Sequence, residues 1–131
     1  MNRTEAAKIL AVLTAAYPNA YKNLSPDEAN GVVSIWAIQF ADTPVDIVFM
    51  ALNKAISSCK YPPTISEIKA RLSAMHWEAY QALSRNDLVK ADENLSAEYQ
   101  RIYDCTSQHN VSNMELSLSA MLRSGSKKFL E

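Results

Sequence analysis

The residues of this chain that could carry out chemistry are few and are not arranged in known reactive patterns. The histidines, His76 and His109, do not form a His-Glu-x-x-His zinc motif, and Cys59 and Cys105 do not form a Cys-x-x-Cys pair. Two glycines in the whole chain are too few for a phosphate-binding loop or a Gly-x-Ser-x-Gly nucleophile turn. The sequence therefore predicts no catalytic residue, no metal site and no cofactor.

The acidic residues are better explained by helix formation than by catalysis. Asp27, Glu28, Asp46, Glu67 and Glu115 each fall in the first turn of a predicted helix. A carboxylate at that position interacts favourably with the positive end of the helix dipole. No pair of acids is singled out by its spacing as a general acid and base, so we predict that the protein is not an enzyme.

Charge and composition indicate an intracellular protein that contacts neither nucleic acid nor a membrane directly. The net charge is −1; residues 1–80 carry seven residues of each sign, and residues 81–131 carry six basic and seven acidic residues. No segment is basic enough to neutralise many nucleic-acid phosphates. Glu5 and Lys8 interrupt the first apolar run, which disfavours a signal peptide, and no stretch approaches the roughly 18 apolar residues of a membrane span. Two separate cysteines fit a reducing compartment, so we expect a cytoplasmic protein.

Four helices are predicted in the first 85 residues. Each begins with a Ser or Thr that can cap backbone amides, and each continues with apolar residues at gaps of three or four. Gly31 costs the second helix about 1 kcal/mol relative to alanine, and we expect packing to offset this cost. The predicted helices run from Thr4 to Tyr17, from Ser25 to about Phe40, from Thr43 to about Ser58, and from Thr64 to about Leu83.

Helix signals are weaker beyond residue 85. Asn86 could cap a fifth helix that ends near Tyr103, and residues 106–111 are predicted as a loop. Ser112 with Glu115 predicts a short further helix that Gly125 would end. The predicted fold is therefore all-α, a small bundle of four N-terminal helices with one or two further C-terminal helices. Its predicted domains are a helical core over 1–85 and a C-terminal helical or partly mobile arm over 86–131.

Without a reactive centre, the candidate functional residues are those suited to protein contacts. Trp77 lies beside the apolar stripe of the fourth helix, so it is either a partly exposed interface anchor or packed on the fifth helix. A C-terminal stripe, too short for a stable isolated helix, either folds back or becomes ordered in a partner's groove; it comprises Met114, Leu118, Met121 and Leu122. The basic-then-apolar end, either a partner anchor or a frayed terminus, comprises Lys127, Lys128, Phe129 and Leu130.

Three segments of the chain together resemble a known family. Ala16-Tyr17-Pro18 ends the first predicted helix, Trp36 lies in the second, and Lys60-Tyr61-Pro62-Pro63-Thr64-Ile65-Ser66-Glu67-Ile68 opens the fourth. In this order and spacing, over about residues 5–72, they resemble the phage replicative-helicase loader and inhibitor family. The resemblance implies an accessory protein of phage DNA replication that binds a hexameric DnaB-type helicase, restrains it, and delivers it to an origin-bound initiator protein.

The resemblance also implies where the partners bind. In the family, the helicase contact is associated with the C-terminal tail, and the helical domain is thought to meet the initiator. We therefore add Tyr61, Pro62 and Pro63 to the candidate partner-binding residues. Two other hypotheses stay open on the sequence: a small DNA-binding module of the helix-turn-helix or small terminase type, and a phage assembly adaptor or chaperone.

Overall fold

The computed structural model describes the backbone of residues 1–120 and the side chains of residues 1–109. All the regular elements in residues 1–120 are helices, which confirms the predicted all-α class. Within this part of the chain, no helix combines the length and apolar character needed to cross a bilayer. The helices are α1 (Arg3–Ala16), α2 (Pro18–Tyr21), α3 (Pro26–Gln39), α4 (Val45–Ser58), α5 (Ile65–Arg85), α6 (Asp87–Ala91) and α7 (Glu93–Ala120).

The chain folds as two compact units. The first unit comprises Met1–Arg71 and the second begins at Leu72, so the division falls within α5. In the first unit, α1 packs against α3 and α4, and the rings of Trp36 and Phe40 lie 5.4 Å apart. Burial of each large apolar side chain stabilises the unit by roughly 1.5–3 kcal/mol. The largest fully buried apolar side chains of this unit are Ile9, Leu13, Phe40, Ile47, Val48, Leu52 and Ile68.

The sequence located the start of α3 correctly but not the start of α1. The predicted cap Ser25 is confirmed, because its hydroxyl accepts the backbone N–H of Glu28 at 3.1 Å. The predicted cap Thr4 is wrong, since Thr4 lies inside α1 and Asn2 is the cap. Asn2 and Glu5 each accept the other's backbone N–H at 2.9 Å, which forms a complete capping box.

Likewise, the sequence located the start of α5 correctly but not the start of α4. Thr64 caps α5, because its hydroxyl accepts the backbone N–H of Glu67 at 3.1 Å. Thr43 was predicted to cap the third long helix, but the cap position belongs to Pro44 and has no side-chain hydrogen bond. Pro44 has an extended backbone, with φ −61° and ψ 143°, so α4 begins only at Val45. Thr43 is buried outside the helix.

The second unit is more helical than the sequence signals indicated. Asn86 caps α6 as predicted, but Asp92 caps a new helix, α7, by accepting the backbone N–H of Leu95 at 3.1 Å. The predicted loop over residues 106–111 is wrong, because α7 continues through it to Ala120 and contains no glycine or proline. The predicted cap Ser112 therefore lies inside a helix, and Gly125 lies outside the described residues.

Candidate partner-binding surfaces

Four rings from α5 and α7 form an aromatic cluster in the second unit: His76, Trp77, Tyr80 and Tyr103. Its buried member is His76, which is 4% exposed and stacks on Tyr103 at a centroid distance of 4.3 Å. The His76 Nδ1 atom lies 3.1 Å from the Thr106 hydroxyl oxygen and 3.1 Å from the Tyr103 carbonyl oxygen. Because the Thr106 hydroxyl donates its own hydrogen to the Ile102 carbonyl, it accepts from His76. We therefore assign a hydrogen to the Nδ1 atom of His76.

The accessible part of the aromatic cluster consists of Trp77 and Tyr80. Each is 42% exposed, and their rings meet edge to face at 5.7 Å. Tyr80 also lies parallel to Tyr103 at 6.3 Å, and Trp77 meets the edge of His76 at 5.7 Å. The sequence did not decide whether Trp77 is a partly exposed interface anchor or a residue packed on the next helix. In the structure it is half-exposed and held in place by neighbouring rings, which suits an interface anchor.

A groove lies where α5 ends and α6 begins. Its volume is about 630 Å³, and its lining includes Glu78, Arg85, Asp87, Leu88 and Tyr99. Leu88 is 82% exposed, the most exposed large apolar side chain in the described part of the chain. Residues 72–109 carry six acidic and three basic residues. The second unit therefore offers apolar contact area in acidic surroundings.

The first unit has a cleft beside the proline strip that precedes α5. Its volume is about 470 Å³, and it lies between residues 16–20 and residues 60–62. Tyr61 is 73% exposed, with the Lys60 ammonium 5.7 Å from the centre of its ring. Pro62 is half-buried and Pro63 is buried. Of these three predicted partner-binding residues, Tyr61 and Pro62 are therefore accessible, whereas Pro63 supports the fold.

Tyr17 fixes the floor of this cleft. Its hydroxyl donates to the Cys59 carbonyl at 2.9 Å and so ties the end of α1 to the strip before α5. Partial burial, together with the negative charges that Cys59 and Glu67 can carry, raises the pKa of Tyr17 above its ordinary value. The hydroxyl therefore remains a hydrogen-bond donor at neutral pH.

The remaining predicted candidates lie near the C-terminus. The backbone of Met114 and Leu118 belongs to α7, but their side chains are outside the described part. Outside the described residues altogether lie Met121, Leu122, Lys127, Lys128, Phe129 and Leu130.

Sequence reasoning missed several exposed apolar residues. Ile35 is 53% exposed and Ile38 is 72% exposed, on α3. Tyr80 and Leu88 of the second unit were also not singled out. A signal was available for three of them, because Ile35 and Ile38 lie off the apolar stripe of their helix and Tyr80 follows Trp77 by three residues. Among the described residues, no group of three or more His, Cys, Asp or Glu side chains could hold a metal ion.

The N-terminal half of the chain matches a known protein family. A family model for the N-terminal domain of the gene 39 protein, the helicase loader of phage SPP1, matches residues 1–69. No curated protein and no solved structure matches the chain. The matched residues belong to the first unit, so the match includes Tyr61 and Pro62 but not the aromatic cluster.

Proposed function

Because this chain belongs to a family of phage helicase loaders, we propose that it binds a hexameric DnaB-type replicative helicase, restrains it, and delivers it to an origin-bound initiator protein. The family match over residues 1–69 is the observation that carries this proposal. It agrees with the resemblance over about residues 5–72 in the sequence. In this proposal the protein acts in the host cytoplasm by protein contacts alone and catalyses no reaction.

We assign the helicase contact to the second unit. Trp77 and Tyr80 supply large apolar areas whose orientation is already fixed by ring contacts, so little side-chain entropy is lost on binding. Trp and Tyr are among the residues most enriched at the energetic centres of interfaces. The resemblance implies a C-terminal helicase contact, which supports adding the C-terminal candidates to the proposed helicase-binding residues. These are Met114, Leu118, Met121, Leu122, Lys127, Lys128, Phe129 and Leu130.

We assign the initiator contact to the cleft of the first unit. The resemblance implies that the helical domain meets the initiator. Among the predicted partner-binding residues of that domain, Tyr61 and Pro62 are accessible, and both line this cleft. Tyr61 offers an exposed ring beside a cavity of about 470 Å³, and Lys60 adds a positive charge next to it. A partner side chain that is apolar and flanked by an acidic residue would fit this cleft.

Co-elution with the helicase hexamer in the presence of ATP tests the helicase contact. We expect the full chain to form a complex at micromolar concentration. A chain with both Trp77→Ser and Tyr80→Ser should bind at least roughly 30-fold more weakly, since loss of even one central aromatic anchor costs about 2 kcal/mol or more. Tyr61→Ser in the first unit is the matched control and should bind the helicase normally.

Three results would count against the proposal. Absence of any complex with the full chain would contradict helicase binding. Normal binding by the Trp77 and Tyr80 double variant would contradict the assigned surface but not the function. Salt-dependent binding to duplex DNA by the chain alone would instead favour the DNA-binding module.

A further inference from the structure

The cleft of the first unit is lined by side-chain rings on two sides. Tyr17 and Pro18 lie at the junction of α1 and α2, and Tyr61 and Pro62 lie on the strip before α5. Tyr61 is 73% exposed and Pro18 is exposed, whereas Tyr17 and Pro62 are half-buried. The hydrogen bond from Tyr17 to the Cys59 carbonyl holds one wall in place before any partner binds. Grooves lined by aromatic rings are typical binding sites for extended, proline-containing segments.

The cleft also offers hydrogen-bond donors. The side chains of Asn19 and Tyr61 line it, and neither has a hydrogen-bond partner among the described residues. The Lys60 ammonium adds further donors. A proline residue has a backbone carbonyl but no N–H, and in an extended segment these carbonyls are not bonded internally, so they can accept from such donors. The carbonyls of an α-helix are already bonded within the helix, so a helical partner would not supply these acceptors.

More positive than negative charges surround the cleft. Lys60 is exposed at its rim, and Lys22 is exposed directly after α2. The Arg71 guanidinium hydrogen-bonds to the end of α4, next to the strip. Glu67 contributes a negative charge on the side of Tyr17. Three cations and one carboxylate favour a partner segment that carries acidic residues.

We propose that this cleft binds an extended segment of the partner protein that contains proline and acidic residues. Proline rings of the segment pack between the two walls, its carbonyls accept from Asn19 and Tyr61, and an acidic side chain lies at Lys60. A polyproline II segment is already extended before it binds, so little conformational entropy is lost. This inference rests on the proposed initiator contact of the first unit and adds the chemistry of the initiator segment.

The chain itself supplies no segment of this chemistry. Residues 110–131 contain no proline, and they carry three basic and two acidic residues. Their net charge therefore has the same sign as that of the cleft. The proline strip of a second copy contains Lys60 and would bring another positive charge to the cleft. A separate acidic partner avoids both mismatches.

The test uses the full ¹⁵N-labelled chain and three synthetic peptides, without helicase or initiator. The first peptide alternates pairs of prolines with single aspartates. The second has alanine for every proline, and the third has lysine for every aspartate. We expect the first peptide to shift amide resonances within residues 16–22 and 59–64. It should bind roughly tenfold or more tightly than either of the others, which corresponds to about 1.4 kcal/mol.

Matched variants of the chain separate binding in the cleft from general adhesion to exposed apolar residues. Tyr61→Ala removes one ring wall and should weaken binding of the first peptide roughly tenfold or more. Lys60→Glu should remove most of the preference for aspartate over lysine, because it reverses the charge at the rim. Ile38→Ala removes an apolar side chain of nearly the same exposure, 72%, from α3 of the same unit and should leave binding unchanged.

Several results would overturn the proposal. Equal binding of the proline and alanine peptides, or no binding of either, would remove the assigned partner chemistry. Undiminished binding by Tyr61→Ala would place the peptide elsewhere. A nuclear Overhauser contact between the Phe129 and Tyr61 rings in the chain alone would give the cleft to the C-terminal segment, and a dimer that Tyr61→Ala abolishes would give it to a second copy. Because the peptides are tested without helicase or initiator, co-elution of the full chain with those proteins shows separately whether the proposed function holds.

Discussion

Replacing Gly31 with alanine should stabilise the first unit, because this glycine lies in the interior of α3. The magnitude follows from the local structure. Alanine in place of glycine in a helix interior is favourable by about 1 kcal/mol. Nothing lies within 4 Å of the new Cβ, so no steric cost opposes this gain and no apolar burial adds to it. The expected increase in unfolding free energy is therefore about 1 kcal/mol.

Urea unfolding measures this change directly. Trp36 is buried in the first unit, whereas Trp77 is half-exposed in the second, so fluorescence in a Trp77→Phe background reports the first unit alone. If that unit unfolds cooperatively on its own, about 1 kcal/mol corresponds to a rise of roughly 4–8 °C in Tm. Ala37→Gly in the same helix is the matched control and should lower the unfolding free energy by a similar amount.

The reasoning fails if Gly31→Ala leaves the midpoint unchanged or lowers it. Such a result would mean that the glycine serves the fold itself.

Three further substitutions test individual hydrogen bonds. Asn86→Ala removes the side-chain acceptor of the Leu88 N–H and should lower the unfolding free energy of the second unit by about 1 kcal/mol, and Asn86→Ser should recover most of it in urea titrations. Tyr17→Phe removes the bond to the Cys59 carbonyl and should cost about 1 kcal/mol at neutral pH. The folded-state pKa of Tyr17 is raised, so the stabilisation from this hydrogen bond is complete below the ordinary tyrosine pKa and is lost as the pH rises through the folded-state pKa. If the original chain and Tyr17→Phe differed in unfolding free energy by the same amount at strongly alkaline pH, this reasoning would be refuted. Thr106→Val leaves the buried His76 Nδ1–H with the Tyr103 carbonyl alone and should lower the unfolding free energy by about 0.5–1.5 kcal/mol in thermal unfolding; an unchanged Tm would contradict this role of the hydroxyl.

Features that depend on neighbouring residues in the chain could be predicted from the sequence. Ser25 and Thr64 each bond an amide three residues ahead, so a short pattern is enough to locate α3 and α5. Thr43 shows the limit of such patterns, because the extended backbone of Pro44 decides where α4 begins.

Features that depend on distant parts of the chain could not be predicted in the same way. The polar stretch over residues 106–111 resembles a loop, yet Thr106 and His109 are buried and the helix continues through them. Tertiary packing overrides weak local propensity there. The setting of Trp77 depends likewise on Tyr103, which joins the aromatic cluster from another helix by stacking on His76.

The most direct test of the proposed function is the effect of this chain on the activity of the replicative helicase. Strand unwinding by the hexamer, with ATP present and without an initiator, should fall as the full chain is added. The Trp77→Ser and Tyr80→Ser double variant should require at least roughly 30-fold more protein for the same effect. Unwinding that is unaffected by the full chain, together with no complex at micromolar concentration, would contradict the assignment as a helicase loader.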